Sequence, residues 1–336
     1  MANILLDAFG GDFAPDEIIM GGVMATKKDE NINVTLVGAE DKINAVLSTI
    51  EYDKSRVHIL NASEVITNDD KPTEAFRQKT DSSMVVAYNN LRCSEEYDAF
   101  VSAGSTGALL VGAFTKLGRI SNVSRPALCP ILPTLSGGNV SIADCGANVD
   151  CKPINLLHFA IMGSMYLNIV CGIDNPRVGL LSVGTEEEKG NELTHEAYKL
   201  LSEEKSINFI GNVEARQLLS GDVDLFVCDG FNGNILLKSA EGAIYSLMKL
   251  LKQKMTKGFK NKLGALLLKG AMYEVKDAMD YKNKGGALLL GVKKPVIKAH
   301  GNSKRDTICA TVLQAQKIVD SKIVENITER MSSETA

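Results

Sequence analysis

The chain has 336 residues, 45% of them hydrophobic and 23% charged, which is enough to bury one large core or two smaller ones. A formal net charge of −4 gives no reason to expect nucleic acid as a partner. The 7 cysteines include no CxxC pair and the 4 histidines no HExxH motif, which argues against a disulfide framework and a metal site. We therefore expect a protein of a reducing cytosol that needs no metal and no cofactor.

Strand and helix patterns alternate over the first 230 residues. Strands are predicted at Asn3–Leu6, Val34–Val37, Val57–Leu60, Ala99–Val101, Val140–Ala143, Val178–Ser182, Asn208–Ile210 and Leu225–Cys228, and helices at Asp16–Lys28, Asp41–Thr49, Ser82–Leu91, Gly107–Leu117, Ile154–Val170 and Leu193–Leu201. This alternation predicts right-handed βαβ crossovers and a mostly parallel sheet covered by helices on both faces. The expected fold class is therefore α/β, a three-layer αβα sandwich.

The pattern changes after Asn234. Long helix patterns cover Ile235–Lys257 and continue from Leu263, short strands are predicted at Ala287–Val292 and Val296–Lys298, and Thr307–Glu329 is predicted as a closing helix. We expect a single α/β domain over residues 1–330 with a C-terminal helical segment, followed by a disordered tail at 331–336.

One uncharged stretch, residues 154–173, has about the length of a membrane span. It contains Asn155 and His158 and lies between two strand patterns. A helix that is apolar all round can equally be a buried central helix, and we favour that interpretation. The start of the chain shows no signal-peptide pattern, which favours a cytoplasmic location.

Residues 235–285, here called the docking segment, combine basic and apolar side chains. Between Lys249 and Tyr273 stand seven lysines and no acidic residue, interleaved with leucines and other apolar residues. One interpretation is a solvated helix face beside a core stripe. The other is a docking surface for an acidic partner or an anionic membrane.

Five of the predicted strands end in polar, glycine-rich loops. These loops begin at Asp7, Ser102, Asp144, Ser182 and Asp229. Because loops after parallel strands collect at one edge of a sheet, we expect a single composite site there for an anionic ligand. The candidate phosphate- or substrate-binding residues are Ser102, Gly104, Ser105, Thr106, Gly107, Asn148, Asp7 and Asp229.

Several common motifs are absent. The chain has no GxGxxG after its first strand, no GxxxxGK[ST] and no GxSxG. These absences count against a standard dinucleotide fold, a Walker nucleotide site and an α/β-hydrolase nucleophile. No Ser/His/Asp set is suggested either, although His300 stands out because it follows a strand pattern and leads towards a helix.

Eight segments, in this order, make the chain resemble the PlsX family of phosphate acyltransferases. They are Asp7–Pro15, Asp70–Pro72, Ser102–Gly107, Asp144–Pro153, Gly184–Asn191, Gly211–Glu214, Asp229–Asn234 and Lys294–Gly301. The resemblance runs from about residue 3 to about residue 325. Two positions depart from it, since the family more often has methionine at Phe9 and asparagine at Ser105.

The resemblance implies a reaction and a cellular setting. PlsX enzymes transfer a fatty acyl group from acyl carrier protein to inorganic phosphate, and a membrane glycerol-3-phosphate acyltransferase of the PlsY type uses the acyl phosphate. The family's fold is similar to that of isocitrate and isopropylmalate dehydrogenases and of phosphate acetyltransferases. Its members form homodimers in the cytoplasm and associate peripherally with an anionic membrane surface.

Two residues are the candidates for catalysis. Lys189 is expected to act as the phosphate cation or general acid, and the alternative is a surface lysine paired with the neighbouring glutamates. Asn234 is expected to hydrogen-bond the carbonyl or the phosphate, and the alternative is a helix cap. Asp7, Asp144 and Asp229 are expected to orient loop amides or Lys189, because a carboxylate repels phosphate. The lysines expected to contact acyl carrier protein or a membrane are Lys252, Lys254, Lys257, Lys260 and Lys262.

Three other functions stay open at this point. A short-chain phosphate acyltransferase that uses coenzyme A is the closest enzymatic alternative. A dehydrogenase of similar fold is less favoured because the dinucleotide motif is missing. The third alternative is a scaffold that organises lipid enzymes at a membrane through the docking segment.

Overall fold

The computed structural model describes residues 1–278 and 285–333. The strands are β1 (Ala2–Asp7), β2 (Ile32–Gly38), β3 (Val57–Asn61), β4 (Ala99–Ser102), β5 (Ala127–Cys129), β6 (Ile131–Pro133), β7 (Asn139–Ala143), β8 (Arg177–Ser182), β9 (Asn208–Glu214), β10 (Leu225–Val227), β11 (Ala287–Leu290) and β12 (Val296–Lys298). The α-helices are α1 (Asp16–Lys28), α2 (Glu40–Leu47), α3 (Pro72–Gln78), α4 (Ser83–Cys93), α5 (Thr106–Gly112), α6 (Pro153–Ile169), α7 (Glu192–Glu203), α8 (Gly230–Met255), α9 (Phe259–Leu267), α10 (Lys269–Ala278), α11 (Arg305–Asp320) and α12 (Ile323–Ser333).

The strands form two sheets. The first sheet has seven strands in the order β3-β2-β1-β4-β12-β11-β5, and the second has five in the order β6-β7-β10-β8-β9. The pairs made by β11 and by β6 with β7 are antiparallel, whereas the other pairs are parallel. The predicted α/β class with mostly parallel strands is therefore confirmed, and the division into two sheets is an addition to it.

The two sheets meet where β5 ends and β6 begins. The backbone N–H of Leu128 in β5 donates to the Asp144 carboxylate (2.8 Å), and the N–H of Cys145 donates back to the Leu128 carbonyl (3.0 Å). Asp144 follows β7 of the second sheet, so these bonds tie the sheets together beside the loops of interest.

Helices cover both faces of the sheets because neighbouring strand residues point to opposite sides. In β1, Ile4 and Leu6 belong to the core shared with α1 and α11, while Leu5 packs into the core that contains Tyr88 of α4 and Phe100 of β4. Each strand therefore contributes to two hydrophobic layers, which is the arrangement expected for an αβα sandwich.

The predicted elements agree well with the structure, with a few corrections. The closing helix is two helices, because Lys322 adopts a left-handed backbone (φ 52°) between α11 and α12. Residues 331–333 are not a disordered tail, since they complete α12 and Met331 is fully buried; residues 334–336 lie outside the described part. The sequence does not predict β5, β6 and α3. With 3, 3 and 7 residues, these elements are too short to show a clear periodic pattern.

The uncharged stretch is the buried helix α6, as expected. Most of its residues, including Asn155 and His158, are buried in the core between sheets and helices. Within the described residues, no helix is both long and apolar enough to cross a membrane.

The described residues of the docking segment lie mostly at the surface, although Leu237 is buried. Helix α8 runs through 26 residues, and α9 and α10 follow it, whereas residues 279–284 lie outside the described part. Helix α9 buries no residue, and Phe259 (84%) and Leu267 (80%) are among the most exposed apolar side chains of the described chain. The interpretation as a helix with a core stripe is therefore wrong for α9.

Candidate active site

The first part of the site lies where the chain order of the first sheet reverses, between β1 and β4. Ser102, at the end of β4, donates to the Asp7 carboxylate (2.7 Å) and accepts from the Gly104 N–H (3.0 Å). Asp7 also accepts from the N–H of Phe9 (3.2 Å), and burial raises the pKa of its carboxyl. In open α/β sheets such a switch point is where ligands bind. These bonds fix the shape of the loop that leads into α5.

The second part of the site is the loop after β7. Asp144 is fully buried and accepts hydrogen bonds from the N–H groups of Ala147 (3.0 Å) and Asn148 (2.6 Å). The Asn148 side chain donates to Asp144 (2.9 Å) and to the carbonyl of Pro126 (2.7 Å), so both of its amide hydrogens are used inside the loop. Asn148 therefore holds the loop, and its amide hydrogens are not directed at a ligand.

The third part is the start of α8. Asp229 caps this helix by accepting from the N–H (2.8 Å) and the amide (2.7 Å) of Asn232. The helix approaches the β7 loop very closely at Gly230, where a Cβ atom would lie 2.6 Å from the Asp144 carboxylate. Asp7, Asp144 and Asp229 thus each accept a hydrogen bond from a backbone N–H shortly after them in the chain. Their role towards a ligand stays a prediction.

Asn234 lies one turn further along α8. It is exposed, and its amide lies over the β7 loop, since a Cβ atom at Gly146 would be 3.8 Å from the Asn234 side-chain oxygen. Because Asp229 provides the helix cap, the capping alternative for Asn234 is wrong. The side chain remains available to a ligand.

These parts surround a cavity of about 470 Å³, here called the central cavity. Its polar lining includes Gly104, Thr106, Asn234, Lys238, Lys298 and His300. Its apolar lining includes Leu128, Ile131, Leu132, Phe231 and Leu237. The cavity thus combines cationic and hydrogen-bonding groups with an apolar wall, and it draws on loops from both sheets.

Two lysines supply the positive charge of the central cavity. Lys298 is buried, and burial together with the charge of Lys238 lowers its pKa to about 8. Lys238 is exposed and bonds the Glu241 carboxylate (2.9 Å) and His300 Nε2 (3.1 Å). No local sequence pattern singles out either lysine, although Lys298 lies in one of the eight segments that carry the family resemblance.

The other residues of the loop Ser102–Gly107, which the sequence predicts to bind phosphate or substrate, have different surroundings. Gly107 packs against Pro72, since a Cβ atom there would lie 2.7 Å from the proline ring. Ser105 is the N-terminal cap residue of α5 and is buried. Of the six residues of this loop, Ala103, Gly104 and Thr106 line the central cavity.

Lys189 stands apart from the central cavity. It is exposed, and its carbonyl accepts from the Ser182 hydroxyl (3.0 Å) in the loop after β8. Strand β8 is the neighbour of β10, so this loop lies at the same sheet edge as the start of α8. A second cavity of about 430 Å³, lined by Asn191 and Asp229, shares Val149 and Phe231 with the central cavity. The catalytic role of Lys189 stays a prediction.

The potential metal ligands do not gather. Among residues 1–278 and 285–333, no group of three or more histidine, cysteine, aspartate or glutamate side chains is arranged to hold a metal ion. The buried cysteines are also poor nucleophiles, since burial raises the pKa of Cys129 to about 12.

Comparison with solved structures shows the fold. A phosphotransacetylase from Streptococcus pyogenes superposes with a TM-score of 0.62 at 19% identity, covering 94% of both chains. A branched-chain phosphotransacylase from Enterococcus faecalis gives a TM-score of 0.58 at 14% identity, covering 95% of this chain and 99% of the other.

Comparison of sequences gives much higher similarity. The phosphate acyltransferase of Thermoanaerobacter pseudethanolicus is 47% identical over 331 residues, 98% of each chain, and that of Bacillus cereus is 44% identical over 333 residues, 99% of each chain. Residues 2–326 match the family described as "Fatty acid synthesis protein". The chain therefore belongs to this family, the PlsX family of phosphate acyltransferases.

Proposed function

We propose that the protein transfers a fatty acyl group, reversibly, from acyl carrier protein to inorganic phosphate, forming acyl phosphate for phospholipid synthesis. The observation that carries this proposal is the central cavity, where two lysines and amide and hydroxyl donors stand beside an apolar wall. Positive charge suits the phosphate, and the apolar wall suits the acyl chain. Relatives with 44–47% identity are named phosphate acyltransferases, in a family named for fatty acid synthesis.

The reaction needs little proton transfer. A phosphate oxygen attacks the thioester carbonyl carbon, and the carbonyl oxygen takes the negative charge of a tetrahedral intermediate. The C–S bond then breaks, the acyl phosphate leaves with the new C–O bond, and the thiolate takes up a proton. Since phosphate is already an anion at neutral pH, positioning and stabilisation of charge are the main requirements, which explains why no Ser/His pair is needed.

Asn234 and the loop before α5 fit these requirements. The exposed amide of Asn234 faces the central cavity and can donate to the carbonyl oxygen as it becomes charged. Gly104 and Thr106 line the same cavity. Their backbone N–H groups and the Thr106 hydroxyl can hold an anion there. In this scheme Lys189 gives its proton to the leaving thiolate, from a loop at the same sheet edge.

The docking segment suits a membrane better than a core. Its lysines Lys252, Lys254, Lys257, Lys260 and Lys262 are exposed, and Phe259, Leu266 and Leu267 are exposed among them. Large exposed apolar patches mark interaction surfaces. We propose that this segment lies on an anionic membrane surface, where a membrane acyltransferase of the PlsY type takes over the acyl phosphate. The same lysines are candidates for binding the acidic acyl carrier protein.

A homodimer is also part of the proposal, by resemblance to the family. Light scattering of the purified protein tests it directly, and a mass of 36.2 kDa, that of one chain, would count against it.

The decisive experiment measures free thiol released from a long-chain acyl carrier protein, with and without inorganic phosphate. Release that requires phosphate, with acyl phosphate trapped by hydroxylamine, would establish the reaction. Release only from short-chain acyl coenzyme A would instead identify a short-chain phosphate acyltransferase that uses coenzyme A. No release from either donor, together with binding to membranes, would favour the scaffold.

A further inference from the structure

Lys298 lines the central cavity but has no role in the reaction as proposed above. Lys298 is the last residue of β12, where it pairs in register with Ser102 at the end of β4. Its side chain lines the cavity although the residue is only 9% exposed. Buried lysines are rare unless their charge has a partner. We therefore expect an anion to bind next to the Lys298 ammonium group.

The hydrogen bonds of Lys298 leave one donor for a ligand. Nζ donates to the carbonyl oxygens of Ala103 (3.3 Å) and Ala299. An ammonium group has three N–H donors, so one remains after these two contacts within the described chain. Because both acceptors are neutral carbonyls, they hold the ammonium in place without neutralising it.

The surrounding charges do not neutralise Lys298 either. No carboxylate of the described residues forms an ion pair with it, although Asp7 and Asp12 act on it from a greater distance. Burial and the nearby Lys238 outweigh these carboxylates and lower the pKa of the ammonium. A phosphate in the cavity would supply the missing negative charge and favour the protonated form.

We propose that Lys298 binds the accepting phosphate directly and is a further catalytic residue of this site. The inference rests on the proposed function, since it takes phosphate as the acyl acceptor. Lys298 stays protonated throughout: it holds one phosphate oxygen while another attacks the thioester carbonyl carbon. The register with β4 pairs Lys298 with Ser102, and its Nζ bonds the Ala103 carbonyl in the loop whose Gly104 and Thr106 line the same cavity.

Titration calorimetry with inorganic phosphate, in the absence of any acyl donor, tests this assignment on the full-length protein. We expect Lys298→Met to weaken phosphate binding about tenfold or more. Lys293→Met is the matched control, because Lys293 is exposed in the bend that precedes the same strand and lies outside the cavity lining. Binding by Lys298→Met within about twofold of the wild-type protein would overturn the proposal, as would the absence of saturable phosphate binding to the wild-type protein.

A pH series on the wild-type protein gives a second test that no folding defect can obscure. Phosphate remains a dianion between about pH 8 and about pH 10, so a loss of affinity there reports a protein group. The charged groups that act on Lys298 are Asp7, Asp12 and Lys238. We expect affinity to fall as pH rises, and the fall in Lys238→Met to lie at higher pH, because the charge that helps to lower the pKa of Lys298 is removed. A flat profile in the wild-type protein, or a fall that persists unchanged in Lys298→Met, would contradict the role of Lys298.

The two proposals can fail separately. Thiol release that does not depend on phosphate would overturn the proposed reaction while the phosphate titration still reports on Lys298. Phosphate-dependent release with unchanged binding in Lys298→Met would leave the reaction standing and remove this residue from it.

Discussion

The hydroxyl of Ser102 donates to the buried carboxylate of Asp7 across 2.7 Å, joining the ends of two neighbouring strands, β4 and β1. The same hydroxyl accepts from the Gly104 N–H (3.0 Å). One side chain thus links the switch point of the first sheet to the loop that lines the central cavity.

Replacing Ser102 by alanine should therefore affect both stability and activity. The buried Asp7 carboxylate and the Gly104 N–H would each lose a partner, at a cost of about 1–3 kcal/mol in the free energy of unfolding. Urea unfolding measures this cost, and turnover should fall because the loop is no longer fixed. Ser121→Ala, at an exposed position, is the control. An unchanged free energy of unfolding in Ser102→Ala would show that the hydrogen bonds of Ser102 to Asp7 and Gly104 do not stabilise the fold.

Two substitutions at the start of α8 should have different effects: Asn234→Ala should lower activity, and Asp229→Ala should lower stability. Asn234→Ala is expected to lower turnover by roughly 10²-fold, as for loss of an oxyanion donor, with little change in unfolding because the side chain is exposed. Asp229→Ala removes the cap of α8 and should lower the free energy of unfolding by about 0.5–2 kcal/mol. A purely thermal defect in Asn234→Ala would remove it from the chemistry.

Lys189→Ala tests the prediction that the structure leaves open. If Lys189 gives a proton to the leaving thiolate, turnover should fall by roughly 10²-fold or more. Stability should hardly change, because the side chain is exposed. The exposed Lys199→Ala variant on α7 is the control. Near-normal turnover by folded Lys189→Ala would exclude the residue from the mechanism.

The contact between Glu17 and Arg305 should make stability depend on pH. Arg305 donates to the Glu17 carboxylate through its side chain (2.6 Å) and its backbone N–H (2.8 Å). These bonds lower the pKa of Glu17 from 4.5 to about 2. Because the folded state binds the proton less tightly, the stabilisation is complete above pH 4.5 and is lost as pH falls towards about 2.

Glu17→Gln provides the measurement. The variant should be less stable than the wild-type protein in urea unfolding near pH 6, and the difference should shrink as the pH approaches about 3. A difference that stays constant over this range would mean that packing, and not the charge of Glu17, stabilises the contact of α1 with α11.

The docking segment predicts salt-sensitive binding to anionic vesicles. Changing Lys252, Lys254 and Lys257 together to glutamate should abolish cosedimentation with such vesicles, because each basic residue near the surface contributes about 1 kcal/mol. Activity on soluble short-chain substrates should remain. The control changes three exposed lysines elsewhere, Lys54, Lys199 and Lys205, to glutamate. Binding that survives the first triple variant would contradict the electrostatic part of the proposal.

The sequence by itself determined the α/β class, most of the helices and strands, and the family. Alternating apolar patterns report which face of an element is buried, so α1 is predicted at its observed bounds, Asp16–Lys28. The aspartates and glycines after the strands likewise indicate the sheet edge where the central cavity lies, because turns and loop amides need those residue types.

Only the tertiary structure decided which loop residues line the central cavity. Asn148 and Asn234 are both asparagines in glycine-rich segments that follow predicted strands. The Asn148 side chain nevertheless donates both amide hydrogens to groups around its own loop, whereas Asn234 lines the central cavity. Lys298 stands at the end of an ordinary strand pattern, and only the pairing of β12 with β4 brings its charge into the cavity. Strand order and sheet contacts join residues far apart in the chain, and no local pattern records those contacts.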